Sequence, residues 1–202
     1  YIMAILLLTI VLLMKLFVSE RYYGHDTIFH TSNIIALSKT ITIKHIFGCD
    51  IVKTPVAKFG YGTWLFYPKL PHLLGAYLYL LFNNIYTSMN IIYFVTTFLS
   101  GIFMFLLAKK MFKSNIMSLL STVIYLTYPY HLSEIYIRDA FAENFIFLSL
   151  PMIFLGLNYL KENNYKLFYI LFILGYLIGM YSHLISMVFT TIFLVLYILY
   201  YR

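Results

Sequence analysis

The sequence predicts an all-α integral membrane protein with about six transmembrane helices and a long first outer loop. Of the 202 residues, 62% are hydrophobic and 10% are charged, with a mean hydropathy of +0.86. Soluble domains carry about 25% charged residues. The apolar runs have the length of helices and lack the ten-residue alternation of outer-membrane barrels. Basic residues are scattered, so the net charge of +7 does not indicate a nucleic-acid partner.

Six apolar runs are read as membrane spans, for which a full crossing needs about 20 apolar residues. The third and fifth runs are shorter, which is tolerable where a helix is shielded by protein or the bilayer thins locally. The first, at the start of the chain, is read as a retained span because no small-residue cleavage site follows it. The chain begins and ends within apolar runs, so we expect residues 1–202 to be one transmembrane domain of a longer protein. The predicted spans are Ile2–Val18, Asn90–Ala108, Ile116–Tyr128, Phe141–Leu160, Leu167–Tyr181 and Leu184–Tyr200.

The outer loop, residues 19–89, contains one apolar run that is too short to cross. Leu73–Phe82 is apolar for ten residues and follows Pro68 and Pro71, so an interfacial or re-entrant helix is predicted. With this assignment the lysine-rich turns share one side, which the positive-inside rule makes cytoplasmic. Six of the seven carboxylates and all six histidines then face outward. The outer carboxylates are Glu20, Asp26, Asp50, Glu134, Asp139 and Glu143.

The first polar segment, DTIFHTSNIIALSKTI, predicts a surface helix from Asp26 to Ile41. Asp26, His30 and Asn33 share one stripe of that helix. Asp26 is either an N-cap, because aspartate is among the best caps, or a functional carboxylate. Capping alone does not explain the neighbouring His25 and His30.

The second polar segment, YPYHLSEIYIRDAFAENF, lies at the outer junction of the third and fourth spans. If it is helical, Glu134 pairs with Arg138, and Asp139 shares a face with Glu143, both at a spacing of four. One interpretation is a salt-bridged helical turn. The other is a functional site, because ionisable groups at the hydrocarbon edge are costly.

Other motifs add little. His183 follows the fifth predicted span and is placed to reach an outer cavity shared with the two polar segments. The single cysteine, Cys49, excludes an internal disulfide and a cysteine-based metal site. No HExxH, phosphate-binding glycine loop or GxSxG motif is present.

The order of these features resembles the GT-C class of polytopic glycosyltransferases. The resemblance rests on Asp26 after a first span, the proline-led helix FYPKLPHLL, a basic inner turn and the acidic motif RDAFAE. Within that class it is most similar to bacterial membrane proteins labelled 6-pyruvoyl-tetrahydropterin synthase-related. Their pattern is matched by Tyr136, Arg138, Ala140 and Glu143, whereas Asp139 replaces a residue expected to be small. A pterin-synthase activity is not expected, because no three-histidine zinc set is visible.

The resemblance implies transfer of a sugar from a polyprenyl-phosphate donor to an acceptor at the extracytoplasmic face of the cell membrane. Asp26 would be the general base. Glu143 or Asp139 would orient the acceptor or hold a divalent cation, and Arg138 would neutralise the leaving phosphate. His25, His30 and His183 are candidate substrate-binding residues. The alternative is a non-catalytic membrane protein that binds or transports a lipid-linked substrate.

Overall fold

The computed structural model describes residues 1–18, 23–54 and 58–200. The predicted outer carboxylate Glu20 lies outside these ranges. The described residues form helices and no strand, which confirms the all-α class. The helices are α1 Ile2–Val18, α2 Thr27–Ser38, α3 Thr63–Phe66, α4 Leu70–Phe82, α5 Ile85–Phe112, α6 Asn115–Thr127, α7 Pro129–Ser133, α8 Asn144–Lys161, α9 Tyr165–Met180 and α10 Leu184–Tyr200. A π-helical turn, Glu134–Arg138, follows α7.

The longest helix, α5, is the centre of the bundle and packs against α1, α4, α6 and α8. Helices α1 and α5 are antiparallel, as the contacts near both ends of the pair show. The ring of Tyr1 stacks on Phe105 at 5.4 Å, whereas Asn90 near the start of α5 donates a hydrogen bond to the carbonyl of Leu16. Helix α8 pairs with α9 through close backbone approaches at Gly156 and Gly175.

Most carboxylates lie at one end of this bundle. At the end that we call the basic end, Lys110 bonds Glu162 at 2.5 Å and joins the last turn of α5 to the turn after α8. At the opposite end, called the acidic end, residues 23–27, 128–143 and 181–186 lie together. Three of the described helices are capped at their first turn. Asn84, Ser114 and Asn164 each accept a hydrogen bond from the first turn of the helix that follows.

Within the described residues, α5 and α8 are long and apolar enough to cross a membrane. Five further apolar helices, α1, α4, α6, α9 and α10, are shorter. The six predicted spans correspond to α1, α5, α6, α8, α9 and α10, so the apolar runs do form helices. Their crossing of a membrane stays a prediction.

Three predicted helices have other bounds in the structure. The second run, predicted as Asn90–Ala108, extends over Ile85–Phe112, because Asn84 caps its start and Lys113 ends it in the left-handed region, φ 56°. The fourth run begins at Asn144 and not at Phe141, because residues 139–143 form a turn that starts at Asp139 in the left-handed region, φ 56°. The helix predicted from Asp26 to Ile41 ends at Ser38. The run Leu73–Phe82 is part of α4, which packs on α2 and α5.

Candidate functional site

The acidic end is held together by a buried aspartate clamp. The Asp139 side chain is 2% exposed. One of its oxygens accepts a hydrogen bond from Thr27 at 2.5 Å, and the other accepts one from Tyr93 of α5 at 2.8 Å. The clamp therefore fixes the start of α2 and the turn before α8 to the central helix.

The same two segments also join through their backbones. The amide nitrogens of His25 and Asp26 donate to the carbonyls of Ile137 and Arg138, at 3.3 and 2.8 Å. Gly24 lies directly on this turn, because a Cβ there would be 2.7 Å from Cβ of Asp139. A side chain at position 24 would push the two segments apart, so this glycine is required by close approach.

Arg138 lies among three carboxylates. Its Nη1 donates to both oxygens of Glu134, at 2.8 and 2.9 Å, and to Glu143 at 3.1 Å. Its Nη2 lies 3.8 Å from Asp26. The predicted Glu134–Arg138 pair is confirmed, although on a π-helical turn. Glu134 is fully buried, whereas the Arg138 and Asp26 side chains are 41% and 42% exposed. The open part of the cluster is therefore Asp26 and the adjacent edge of the guanidinium.

Glu143 connects the cluster to the first turn of α10. Its Oε1 accepts a hydrogen bond from Tyr130 at 2.8 Å and a longer one from Ser186 at 3.4 Å. The Ser186 hydroxyl lies 2.8 Å from Nδ1 of His183. His183 thus reaches the site through Ser186, as its position after α9 predicts.

Asp26 does not cap α2. It occupies the position before the first helical residue, but its side chain makes no capping hydrogen bond to that helix in the described structure. The side-chain hydrogen bond at the start of α2 is made by Thr27, whose hydroxyl accepts from the amide of Gly24 at 2.8 Å. The interpretation of Asp26 as a cap is wrong, and its carboxylate is left facing Arg138.

Burial and charge shift the protonation of several surrounding groups. Burial and the hydrogen bond to Glu143 raise the pKa of Tyr130 to about 12. Burial, together with the charges of Asp26 and Glu143, raises the pKa of Tyr67 to about 12. Burial also lowers the pKa of His183. The two tyrosines therefore stay neutral hydrogen-bond donors at physiological pH.

The first two candidate histidines have different environments. His25 is exposed at the acidic end. His30 is 2% exposed, and its Nδ1 lies 2.9 Å from Nε2 of His72, which is fully buried among Phe29, Trp64 and other aromatic rings. The position of His30 gives no support to its predicted role in substrate binding. It packs α2 against α4.

The arrangement does not favour the predicted option of a divalent cation. Among the described residues, no group of three His, Cys, Asp or Glu side chains is placed to hold a metal ion. Glu134 and Glu143 instead bind the guanidinium of Arg138, whose positive charge partly compensates their negative charges.

The expectation that Asp139 and Glu143 share one helix face is wrong. Asp139 has a positive φ and ends the π-helical turn, so its side chain points to α2 and α5 while Glu143 faces Arg138. The catalytic roles assigned to these two residues stay predictions. The buried position of Asp139 favours positioning over contact with substrate.

Several site residues were missed by sequence reasoning, and each had only a weak signal. Ser186 lies three residues after His183, and Thr27 follows Asp26 directly. Tyr130 and Tyr67 are two of 21 tyrosines and Tyr93 lies within an apolar run, so nothing local separates them from packing residues.

Comparisons with known proteins find no match: no family model, no curated protein and no solved structure is similar to this chain.

Proposed function

We propose that the chain is a membrane glycosyltransferase domain of the GT-C class, which moves a sugar from a polyprenyl-phosphate donor to an acceptor at its extracytoplasmic face. The observation that carries this proposal is the pairing of Asp26 with Arg138. A partly exposed carboxylate that caps no helix lies 3.8 Å from a guanidinium whose other nitrogen is bound to two further carboxylates. The two residues are brought together from opposite halves of the chain.

Membrane placement is supported by the surfaces of the shorter helices. In α10, Phe189, Phe193 and Leu196 are 68%, 56% and 60% exposed, and only Met187, Thr190 and Leu194 are buried. Helix α1 has a similar apolar surface, with Val11 67% exposed. Such faces are unfavourable in water and suit a hydrocarbon environment. The six helices would then cross with the lysine-rich basic end in the cytoplasm.

The polarity of the site fits acid–base chemistry on a lipid-anchored phosphate. Asp26 takes the proton of the acceptor hydroxyl while the hydroxyl oxygen attacks the anomeric carbon. The bond from that carbon to the phosphate oxygen breaks, and the electron pair stays on the phosphate. Arg138 neutralises this charge with the edge that faces Asp26. Glu134 and Glu143 hold the guanidinium in place.

A cavity of about 540 Å³ beside the site supports a substrate with a hydrocarbon chain. It lies between α4, α5, α8 and α9 and extends toward the acidic end. The cavity is lined mainly by aliphatic side chains, including Leu74, Val95, Leu99 and Ile178. A lipid tail in this space would keep its phosphate at the level where α8 begins and α9 ends.

The test compares two isosteric changes in the same outer region. Asp26→Asn keeps size and removes the base, so transfer from a lipid-linked sugar pool in membranes should fall by about 10²-fold or more. Its thermal stability should stay near wild type, because no cap is lost. Asp50→Asn is the matched control, since Asp50 is exposed and pairs with Lys69 away from the cluster.

Full activity of Asp26→Asn would refute the role of base. A wild-type protein that binds the lipid-linked donor yet transfers no sugar would favour the alternative, a non-catalytic binder or transporter.

A further inference from the structure

The described parts of the outer segment 39–69, residues 39–54 and 58–69, present fully exposed apolar side chains next to lysines. Ile43 is 99% exposed and precedes Lys44, and Phe59 is 101% exposed and follows Lys58. Phe47 and Phe66 are 65% and 78% exposed. Apolar side chains this open have no packing role within the described chain, so the folded chain alone does not explain them.

The charge of this segment is strongly one-sided. Residues 39–69 contain five lysines and one carboxylate, Asp50. Lys69 bonds Asp50 at 2.9 Å, so this carboxylate is already paired. Lys44, Lys53 and Lys58 are exposed and form no ion pair within the described residues. The surface is therefore suited to a negatively charged partner.

Three contacts place the segment at the level where the apolar helices end. The amide of Leu70 donates to the carbonyl of Tyr181, directly after α9. The preceding Lys69 holds the carbonyls of Gly48 and Cys49 at 3.4 and 3.3 Å. Farther along α4, the Tyr77 hydroxyl donates to the carbonyl of Ile46 at 2.5 Å. The lysine-flanked turn is thus tied to the end of the bundle and does not project freely from it.

We infer that segment 39–69 docks on the anionic lipid headgroups of the leaflet at the acidic end. Ile43, Phe47 and Phe59 enter the headgroup boundary, while Lys44 and Lys58 bind lipid phosphates. Interfacial elements combine apolar insertion with lysine attraction in this way. This inference rests on the membrane placement of the proposed function and not on glycosyl transfer. It also accounts for five lysines in a predicted outer loop, where the positive-inside rule expects few.

The experiment measures the depth of the tip by fluorescence quenching. In a Cys49→Ser background, Phe59→Cys carries an environment-sensitive fluorophore, and the full chain is placed in nanodiscs that contain nitroxide-labelled lipids. The nanodiscs are of phosphatidylcholine alone or of phosphatidylcholine with phosphatidylglycerol. Quenching should be stronger in the anionic nanodiscs and should weaken as salt is raised.

Lysine variants test the electrostatic part. Near an anionic surface, each lysine shifts the ratio of docked to undocked tip by about fivefold. Lys44→Gln with Lys58→Gln should therefore lower this ratio by about 25-fold in anionic nanodiscs and leave it unchanged in phosphatidylcholine. The matched control, Lys113→Gln with Lys166→Gln at the basic end, should have no effect. Quenching that is equal in both lipids, or unaffected by the first pair, would overturn the inference.

A second label separates this inference from the membrane placement. Phe189→Cys on the exposed face of α10 should be quenched in every nanodisc if the bundle is embedded. Quenching at position 189 without quenching at position 59 would refute the docking of the segment alone. Absence of quenching at both positions would overturn the membrane placement together with the inference.

Discussion

Replacement of Thr27 by valine tests whether the aspartate clamp holds the acidic end together. The change keeps the branched shape and removes one hydroxyl, which accepts from Gly24 at 2.8 Å and donates to Asp139 at 2.5 Å. Asp139 is buried and Gly24 is half-buried. A hydrogen bond to a charged group contributes about 1.5–3 kcal/mol and a neutral one about 0.5–1.5 kcal/mol. Thr27→Val should therefore lower the free energy of unfolding by about 2–4 kcal/mol.

The assay is thermal unfolding of the full chain in mild detergent, followed by near-ultraviolet circular dichroism. For a chain of this length, 1 kcal/mol corresponds to about 2–4 °C. Thr27→Val should therefore lower Tm by about 4–16 °C. The control is Thr31→Val, one turn later in α2, whose hydroxyl donates to backbone carbonyls of its own helix, Thr27 at 2.7 Å and Ile28 at 3.4 Å. Its loss should cost less than about 1 kcal/mol.

A double-mutant cycle assigns the effect to the clamp. Tyr93→Phe removes the second bond to Asp139. Because both hydroxyls bind the same carboxylate, the cost of Thr27→Val with Tyr93→Phe should differ from the sum of the single costs by about 0.5 kcal/mol or more. Equal costs for Thr27→Val and Thr31→Val, or simple additivity in the cycle, would refute the clamp as the element that fixes the start of α2.

Three further predictions follow from contacts at the two ends. Gly24→Ala should destabilise the chain by about 1–3 kcal/mol, because its Cβ would meet backbone; Gly62→Ala, which meets only a leucine side chain, should cost less in the same unfolding assay. Burial lowers the pKa of His131 to about 4, so the unfolded state binds more protons than the folded state between about pH 6.5 and pH 4. The free energy of unfolding should therefore decrease as the pH is lowered through that range. His131→Gln should show less of this loss in unfolding at each pH. Cys49 is exposed and should react with an impermeant maleimide in intact cells, whereas Lys113→Cys in a Cys49→Ser background should react only after permeabilisation; the opposite pattern would reverse the topology.

The sequence by itself determined most of the helices and the placement of most carboxylates on one side. Apolar runs separated by short polar turns already specified α1, α6, α9 and α10 to within about two residues, because an apolar run of this length satisfies its backbone bonds most simply as a helix. The pairing of Glu134 with Arg138 was also readable, since a spacing of four places both on one face of a helical turn.

Only the tertiary structure decided which carboxylates are open and which are buried. The sequence pattern predicts a helix through residues 139–143, but the positive φ of Asp139 ends the helix there. The Asp139 side chain is turned toward Thr27, 112 positions away in the chain. The same contact brings Asp26 to Arg138. Local pattern cannot specify such a pairing, because it arises from the packing of α2 and the turn before α8 onto the central helix.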